Sequence, residues 1–113
     1  MTDARLADYL DHIRDAAQLA RSYVKNMSRE EFLADTRTQH AVILNLFVIG
    51  EAATKLLSEY PEFAHQHSAI EWKAMKGMRN RIAHGYFDVD LEIVWETVGA
   101  SLPKLLSQLP PAA

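Results

Sequence analysis

Apolar residues recur at spacings of three and four along most of the chain, a period that is typical of amphipathic helices. The first stripe predicts a helix from about Asp3 to Met27 and consists of Leu6, Tyr9, Leu10, Ile13, Ala17, Ala20, Val24 and Met27. Ser28 and Glu31 then have the spacing of a capping box, which predicts a short helical turn. Because the sequence lacks the alternation of apolar and polar residues found in strands, it predicts an all-α fold.

The second long helix is predicted from about Thr36 to Tyr60, with Asp35 or Thr36 as its cap and Pro61 as its end. Its core stripe consists of Val42, Leu46, Ile49, Ala53, Leu56, Leu57 and Tyr60. The opposite face is also apolar at its centre, where Leu44, Phe47 and Val48 are flanked by Arg37, His40, Glu51 and Lys55. A helix that is apolar on both sides has to be covered on both sides, so we expect a second copy of the chain on this face. The alternative is that the short turn after the first helix folds over it.

Two further helices follow. Ser68 and Glu71 form a second capping-box pattern that is expected to open the third helix, and Gly85 is expected to end it in the left-handed conformation. Asp90 is the predicted cap of the fourth helix, whose stripe consists of Leu91, Val94, Trp95, Val98, Leu102, Leu105 and Leu109. Pro103 lies inside this stripe, so a kink is expected there.

These elements predict one domain over residues 1–113, an antiparallel bundle of four main helices with a short extra turn. The composition agrees with a soluble globular protein, since 49% of the 113 residues are apolar, 24% are charged and the net charge is −3. The longest apolar stretch, Ala41 to Gly50, is about half of the ~20 residues that a membrane span requires. Without a visible span or signal peptide, and with no Cys, we expect a cytoplasmic protein.

Several kinds of chemistry are excluded or disfavoured by the sequence. The lack of Cys excludes a disulfide scaffold, a thiolate zinc site and a cysteine nucleophile. Gly-rich phosphate loops, Ser-centred elbows and paired-carboxylate motifs do not occur. His65 and His67, with Glu62, have a spacing that predicts weak metal binding at best. We therefore expect neither a metal nor a cofactor.

The third helix carries a polar stripe that consists of Lys73, Lys76, Asn80 and His84, flanked by Arg79 and Arg81. Four cations and an imidazole on one helix of a net acidic protein suit a phosphate-bearing ligand. A stripe of this kind is also common on a solvated helix face, and a His in the last turn also stabilises the helix end, so this alternative stays open. Asn80 and His84 point the same way, whereas Arg79 and His84 lie about 140° apart on the helical wheel.

Glu51 interrupts the apolar run in the middle of the second helix. A carboxylate in that position needs a partner, and Arg79 or Arg81 on a neighbouring helix is the natural one. A structural ion pair is favoured over a direct catalytic role for Glu51.

Arg79, His84 and Tyr86 together resemble the Arg-x-x-x-x-His-x-Tyr signature of HepT-like toxins in the HEPN superfamily. Three longer segments also resemble that family: VIGEAATKL (48–56), MRNRIAHGYFDVDLEIVW (78–95) and SLPKLL (101–106). The resemblance covers nearly the whole chain. It implies a homodimeric, HEPN-like bundle that acts as the toxin of a prokaryotic type VII toxin–antitoxin pair. The implied partner is a minimal nucleotidyltransferase (MNT) antitoxin.

The resemblance also implies metal-independent cleavage of RNA in a cleft at the dimer axis. Carried over by position, Arg79 and His84 are catalytic and Tyr86 is the tyrosine that receives AMP and silences the toxin. Asn80 and Glu51 match supporting polar and acidic residues. The basic stripe then supplies Arg81 as a further supporting residue, and Lys73 and Lys76 as RNA-binding residues. The competing hypothesis is a helical dimerisation or nucleotide-binding module that regulates a nucleotidyltransferase partner without cleaving RNA.

Overall fold

The computed structural model of the protein describes residues 3–111, apart from the side chain of Phe87. The α-helices in this range are α1 (Ala4–Tyr23), α2 (Arg29–Leu33), α3 (Thr36–Glu59), α4 (Pro61–Gln66), α5 (Trp72–His84), α6 (Leu91–Glu96) and α7 (Leu102–Gln108). A 3₁₀ turn (Tyr86–Asp88) follows α5, and a π-helical turn (Thr97–Ser101) joins α6 to α7. The described range contains no strand, so the prediction of an all-α bundle is confirmed. The predicted domain limits, residues 1 and 113, lie outside the described residues.

The bundle is assembled around α3. α1 packs along one side of α3 and α5 along another. The π-helical turn and α7 pack against α1, whereas α6 packs against α2 and α3. The predicted stripes supply most of the core, whose fully buried side chains include Ile13, Phe32, Val42, Leu56, Val94 and Val98. Burying these apolar side chains is what holds the helices together, because most of the stability of a helix in a protein comes from packing of its apolar face.

Over its whole length, α3 is long and apolar enough to cross a membrane, with a mean hydropathy of 1.6 in its most apolar window. The stretch from 41 to 50, which contains Asn45, is too short to indicate this; the apolar window becomes long enough only when the rest of the helix is included. Half of that window is buried inside the fold, between α1 and α5. A helix packed on two sides in a core has this composition, so the hydropathy of α3 is weak evidence for a membrane span.

The short helix α2 makes the turn between α1 and α3. Its capping box forms as predicted: Glu31 N donates to Ser28 Oγ at 3.1 Å, and Ser28 N donates to Glu31 Oε1 at 2.8 Å. Asp35, rather than Thr36, caps α3, and its carboxylate accepts hydrogen bonds from the backbone N–H and the hydroxyl of Thr38. The backbone hydrogen bond from Thr38 holds the pKa of the Asp35 carboxyl below its usual value, so this cap is charged at neutral pH.

α2 does not cover the second apolar face of α3. Phe32 of α2 is fully buried, yet Leu44 on that face of α3 remains 61% exposed. Phe47 and Val48 are half-buried against the core. The alternative, in which the short turn after the first helix covers this face, is therefore wrong at Leu44.

The start of α5 differs from the prediction. The Ser68–Glu71 capping box does not form; α5 begins at Trp72, and Glu71 makes no side-chain cap hydrogen bond. Instead Trp72 is buried, and its indole N–H donates to the carbonyl oxygen of His67 at 3.1 Å. The start of α5 is therefore set by burial of Trp72 and not by the expected capping box.

Proline and glycine positions account for the other differences. Pro61 ends α3 as predicted but also begins α4, which was not predicted, because the first turn of a helix needs no proline N–H. Gly85 has a φ of −157°, which is extended and not left-handed, so that prediction is wrong. Pro103 is accommodated by the preceding π-helical turn, Thr97–Ser101, whose longer hydrogen-bond ring relieves the clash expected in a regular helix.

α3 and α5 approach most closely at Gly50. A Cβ atom on Gly50 would lie 2.2 Å from the Cβ of Arg79 and 2.7 Å from the carbonyl oxygen of Met75. Protein interiors are close-packed, and no side chain fits into that space without moving a backbone. Gly50 therefore allows α5 to lie directly against α3, and it sets Arg79 beside the next residue of α3, Glu51.

We predict that Gly50→Ala lowers the free energy of unfolding by about 2 kcal/mol or more, because the added methyl group forces α3 and α5 apart. The matched control is Gly77→Ala on α5, where a new Cβ meets nothing within 4 Å. Because Ala favours helices, the control should be neutral or stabilising by up to about 1 kcal/mol. Urea denaturation followed by circular dichroism measures both. Equal stability of the two variants would contradict the close-approach argument.

Candidate functional site

An ion pair between α3 and α5 forms the centre of the candidate site. The Nε of Arg79 donates to Oε1 of Glu51. The Nη1 of Arg79 donates to Oδ1 of Asn80 at 2.7 Å. The two charged side chains are 30% and 37% exposed, so the pair is partly screened but open to a ligand. Two acceptors thus fix the guanidinium, while its Nη2 has no hydrogen-bond acceptor among residues 3–111.

Arg79 belongs to the inner face of α5. Trp72, Met75, Arg79 and Ile82 follow one another at spacings of three and four, and both Trp72 and Ile82 are buried. Arg79 thus lies between this inner face and the polar stripe, and its stem packs against Gly50 of α3. The partner of Glu51 is Arg79 and not Arg81, which is exposed on α5.

His84 lies on another side of α5. It is the last residue of the helix, is exposed, and lines a groove of about 400 Å³ together with Arg81, Asp88, Asp90 and Ile93. Two potential cations and two carboxylates thus share this groove. Among residues 3–111, neither a hydrogen bond nor this groove joins His84 to Arg79, which agrees with their separation on the helical wheel. One chain therefore carries two half-sites that face different ways.

The remaining cations of the predicted stripe point to solvent. Lys73 and Lys76 are exposed on α5, and neither forms an ion pair with another described residue. They are therefore free to contact phosphates without first breaking a salt bridge.

Glu62, His65 and His67, whose spacing predicts weak metal binding at best, do not form a metal site. His65 lies on α4 rather than in a loop, and the His67 ring packs against Phe63 with ring centroids 4.3 Å apart. No cluster of three His, Asp or Glu residues suited to a metal occurs in the described part of the chain.

Tyr86 lies in the 3₁₀ turn just after His84 and is 40% exposed. Its ring meets that of His40 on α3, with centroids 5.6 Å apart and an angle of 63° between the ring planes. This contact links the end of α5 to the first half of α3. From the sequence alone, His40 is expected only to flank the apolar face of the helix.

The outer face of α3, defined here by His40, Leu44, Phe47, Val48 and Glu51, connects these features. Its residues share one side of the helix because they recur along it at steps of three and four. The exposed Leu44 lies between the ring pair of His40 and Tyr86 at one end and the ion pair of Glu51 and Arg79 at the other. An apolar surface and the candidate catalytic arginine are thus neighbours.

Gly50 is the residue that sequence reasoning missed at this site. The available signal was a glycine in the middle of an apolar helical run, directly before the only carboxylate of that run. Glycine weakens a helix, so its presence at such a position indicates close packing against another backbone.

Comparison with known proteins gives a consistent result. A family model described as Ribonuclease HepT-like matches residues 13–111. A protein of Thermococcus cleftensis, named as a probable ribonuclease HepT, is 38% identical, with 87% of this chain and 86% of that protein aligned. A protein of Caldanaerobacter subterraneus subsp. tengcongensis, named as a candidate RNase, is 37% identical over 89% of this chain and 88% of its own length. One from Methanocaldococcus jannaschii, with the same kind of name, is 33% identical over 94% of this chain and 82% of its own.

No solved structure matches the chain. The family match nevertheless contains every helix after α1 and the second half of α1, as well as the motif from Arg79 to Tyr86. The aligned relatives are covered over more than four-fifths of their length. The chain therefore belongs to the Ribonuclease HepT-like family, within the HEPN group that its sequence resembles.

Proposed function

We propose that the protein is a metal-independent endoribonuclease and the toxin of a prokaryotic type VII toxin–antitoxin pair, acting in the cytoplasm. The observation that carries this proposal is the arginine of an Arg-x-x-x-x-His motif, Arg79, held in place by Glu51 and Asn80 in a HepT-like chain. The names of the aligned relatives, which refer to ribonucleases, support RNA as the substrate.

The proposed reaction is a transfer within the RNA backbone. The 2′-hydroxyl oxygen attacks the adjacent phosphorus, the bond from phosphorus to the 5′-oxygen breaks, and the products are a 2′,3′-cyclic phosphate and a 5′-hydroxyl. His84 serves as the base for the 2′-hydroxyl or as the acid for the departing 5′-oxygen. Arg79 stabilises the charged phosphorane through its free Nη2 donors. Lys73 and Lys76 bind flanking phosphates, and Arg81 adds positive charge beside His84.

A homodimer would complete this site. On the outer face of α3, Leu44 is 61% exposed, and a second copy packed on Leu44, between His40 at one end and Glu51 at the other, would bury it. Two-fold symmetry would bring the His84 half-site of one protomer towards the Arg79 half-site of its partner. One site would then contain both His84 and Arg79, although the two residues lie apart within each chain. The second copy would also double the positive field in the cleft.

One observation favours the competing function, a regulatory module without catalysis. Arg79 is held by its ion pair with Glu51, but His84 has no hydrogen bond to a described residue, and the two motif residues do not meet within one chain. A dimerisation or nucleotide-binding module would keep the same ion pair for stability alone. Measurement of cleavage distinguishes the two functions.

We predict that the purified protein cleaves RNA in the presence of EDTA and that His84→Ala lowers the rate by about 10²–10⁴-fold, the usual contribution of an acid–base residue. Arg79→Lys should also be impaired, because an ammonium group lacks the planar fork of a guanidinium. His12→Ala, an exposed histidine on α1, is the matched control and should retain full activity. Loss of cleavage in EDTA with recovery on adding a divalent metal would contradict this mechanism.

Mixing the two inactive variants tests whether the site is shared between protomers. If His84 of one chain works with Arg79 of the other, heterodimers of His84→Ala and Arg79→Lys contain one intact site. With random exchange, half of the dimers are heterodimers and half of their sites are intact, so about a quarter of the wild-type activity returns. If the mixture remains inactive although the subunits exchange, both residues act within one chain.

We also propose that an MNT-type nucleotidyltransferase silences the toxin by transferring AMP to Tyr86. The exposure of Tyr86 and its position two residues after His84 support this role. A phosphodiester and an adenosine at that point would place negative charge and bulk beside the groove of His84, and would block the entry of RNA.

Coexpression with a cognate nucleotidyltransferase is therefore expected to add one or more AMP masses to Tyr86 and to suppress cleavage. Tyr86→Phe should remain folded, resist silencing and stay active. Intact-mass and peptide mass spectrometry identify the modified residue. An unmodified Tyr86 after coexpression with an active cognate enzyme would contradict the proposal.

A further inference from the structure

The contact between His40 and Tyr86 brings together two flat rings that remain accessible. Tyr86 is 40% exposed, and His40 is also exposed on α3. Their planes meet at 63° with centroids 5.6 Å apart, so the edge of one ring meets the face of the other and the two form a corner. Both rings therefore keep part of their surface accessible to a ligand.

This ring pair is connected to both proposed half-sites through the backbone of α5 and α3. Two residues span at most about 7 Å, so the backbone of Tyr86 lies within that distance of His84. On the other side, His40 begins the outer face of α3, which leads through Leu44 to Glu51 and its ion pair with Arg79. An RNA phosphate held near His84 would therefore have its neighbouring base within reach of the two rings.

We propose that His40 and Tyr86 form a stacking platform for one unpaired RNA base next to the phosphate that is cleaved. This inference rests on the proposed ribonuclease function and assigns a substrate class to it: single-stranded RNA. Proteins that bind single strands commonly stack bases on Tyr and His rings, whereas a base inside a duplex cannot reach such a surface. Stacking tolerates any base, so the platform selects for an unpaired nucleotide and not for a sequence.

The platform would bind the base of a nucleotide and not its phosphate. The test therefore compares two probes of equal length and charge that differ only in whether they carry bases. One is a short, labelled, single-stranded oligodeoxynucleotide, which has no 2′-hydroxyl and is not cleaved by the proposed reaction. The other is the same sugar–phosphate chain with abasic sugars throughout. Fluorescence anisotropy gives a Kd for each, and their ratio isolates the contribution of the bases because the phosphate contacts cancel.

The wild-type protein is expected to bind the oligonucleotide more tightly than the abasic chain. His40→Ala and Tyr86→Ala should each reduce that ratio by about fivefold or more, the lower end of what one stacked base contributes. The double variant should lose little more than either single variant, because both rings serve one base. His40→Phe and Tyr86→Phe, which keep a ring, should retain the ratio, and His12→Ala should leave it unchanged.

Two results would overturn the platform: equal Kd values for the two probes with the wild-type protein, or unchanged ratios in both alanine variants. An unchanged ratio that accompanies equal losses for both probes would indicate phosphate contacts instead. Circular dichroism checks that each variant is folded. RNA cleavage is measured separately on the same proteins. A wild-type protein that binds bases but does not cleave RNA would contradict the proposed function and leave the platform standing.

Discussion

The close approach of α3 and α5 at Gly50 is the contact on which the candidate site depends. Because Gly50 has no side chain, the stem of Arg79 and the carbonyl of Met75 occupy the space that a Cβ would fill. The guanidinium then reaches Glu51, which follows Gly50 on α3, while Asn80 holds a second nitrogen. A partly buried arginine fixed by two acceptors loses little rotamer freedom when it meets a phosphate, and this preorganisation is what catalysis by charge stabilisation requires.

Local features of the fold could be predicted from the sequence because they depend on residues close together in the chain. The stripes of α1 and α3 follow from helical periodicity, and the caps at Ser28, Asp35 and Asp90 follow from short side chains that accept nearby backbone N–H groups. The partner of Glu51 could be predicted as one of two arginines for a different reason: a carboxylate in an apolar run needs a cation.

The remaining features depend on how helices meet in space. The inward orientation of Arg79 follows from a glycine on another helix, and the pairing of His40 with Tyr86 joins residues that are far apart in the chain. The start of α5 follows from burial of Trp72, which overrides a sequence pattern that resembles a cap. Periodicity describes one helix at a time, so it cannot predict contacts of this kind.

We propose that Glu51 acts by holding Arg79 for catalysis. This role is tested by a double-mutant cycle with Glu51→Gln and Arg79→Ala, measured as single-turnover cleavage rates. We expect Glu51→Gln to slow cleavage when Arg79 is present and to have no further effect in the Arg79→Ala background. A slowing by the same factor in both backgrounds would contradict it, because Glu51 would then act independently of the arginine.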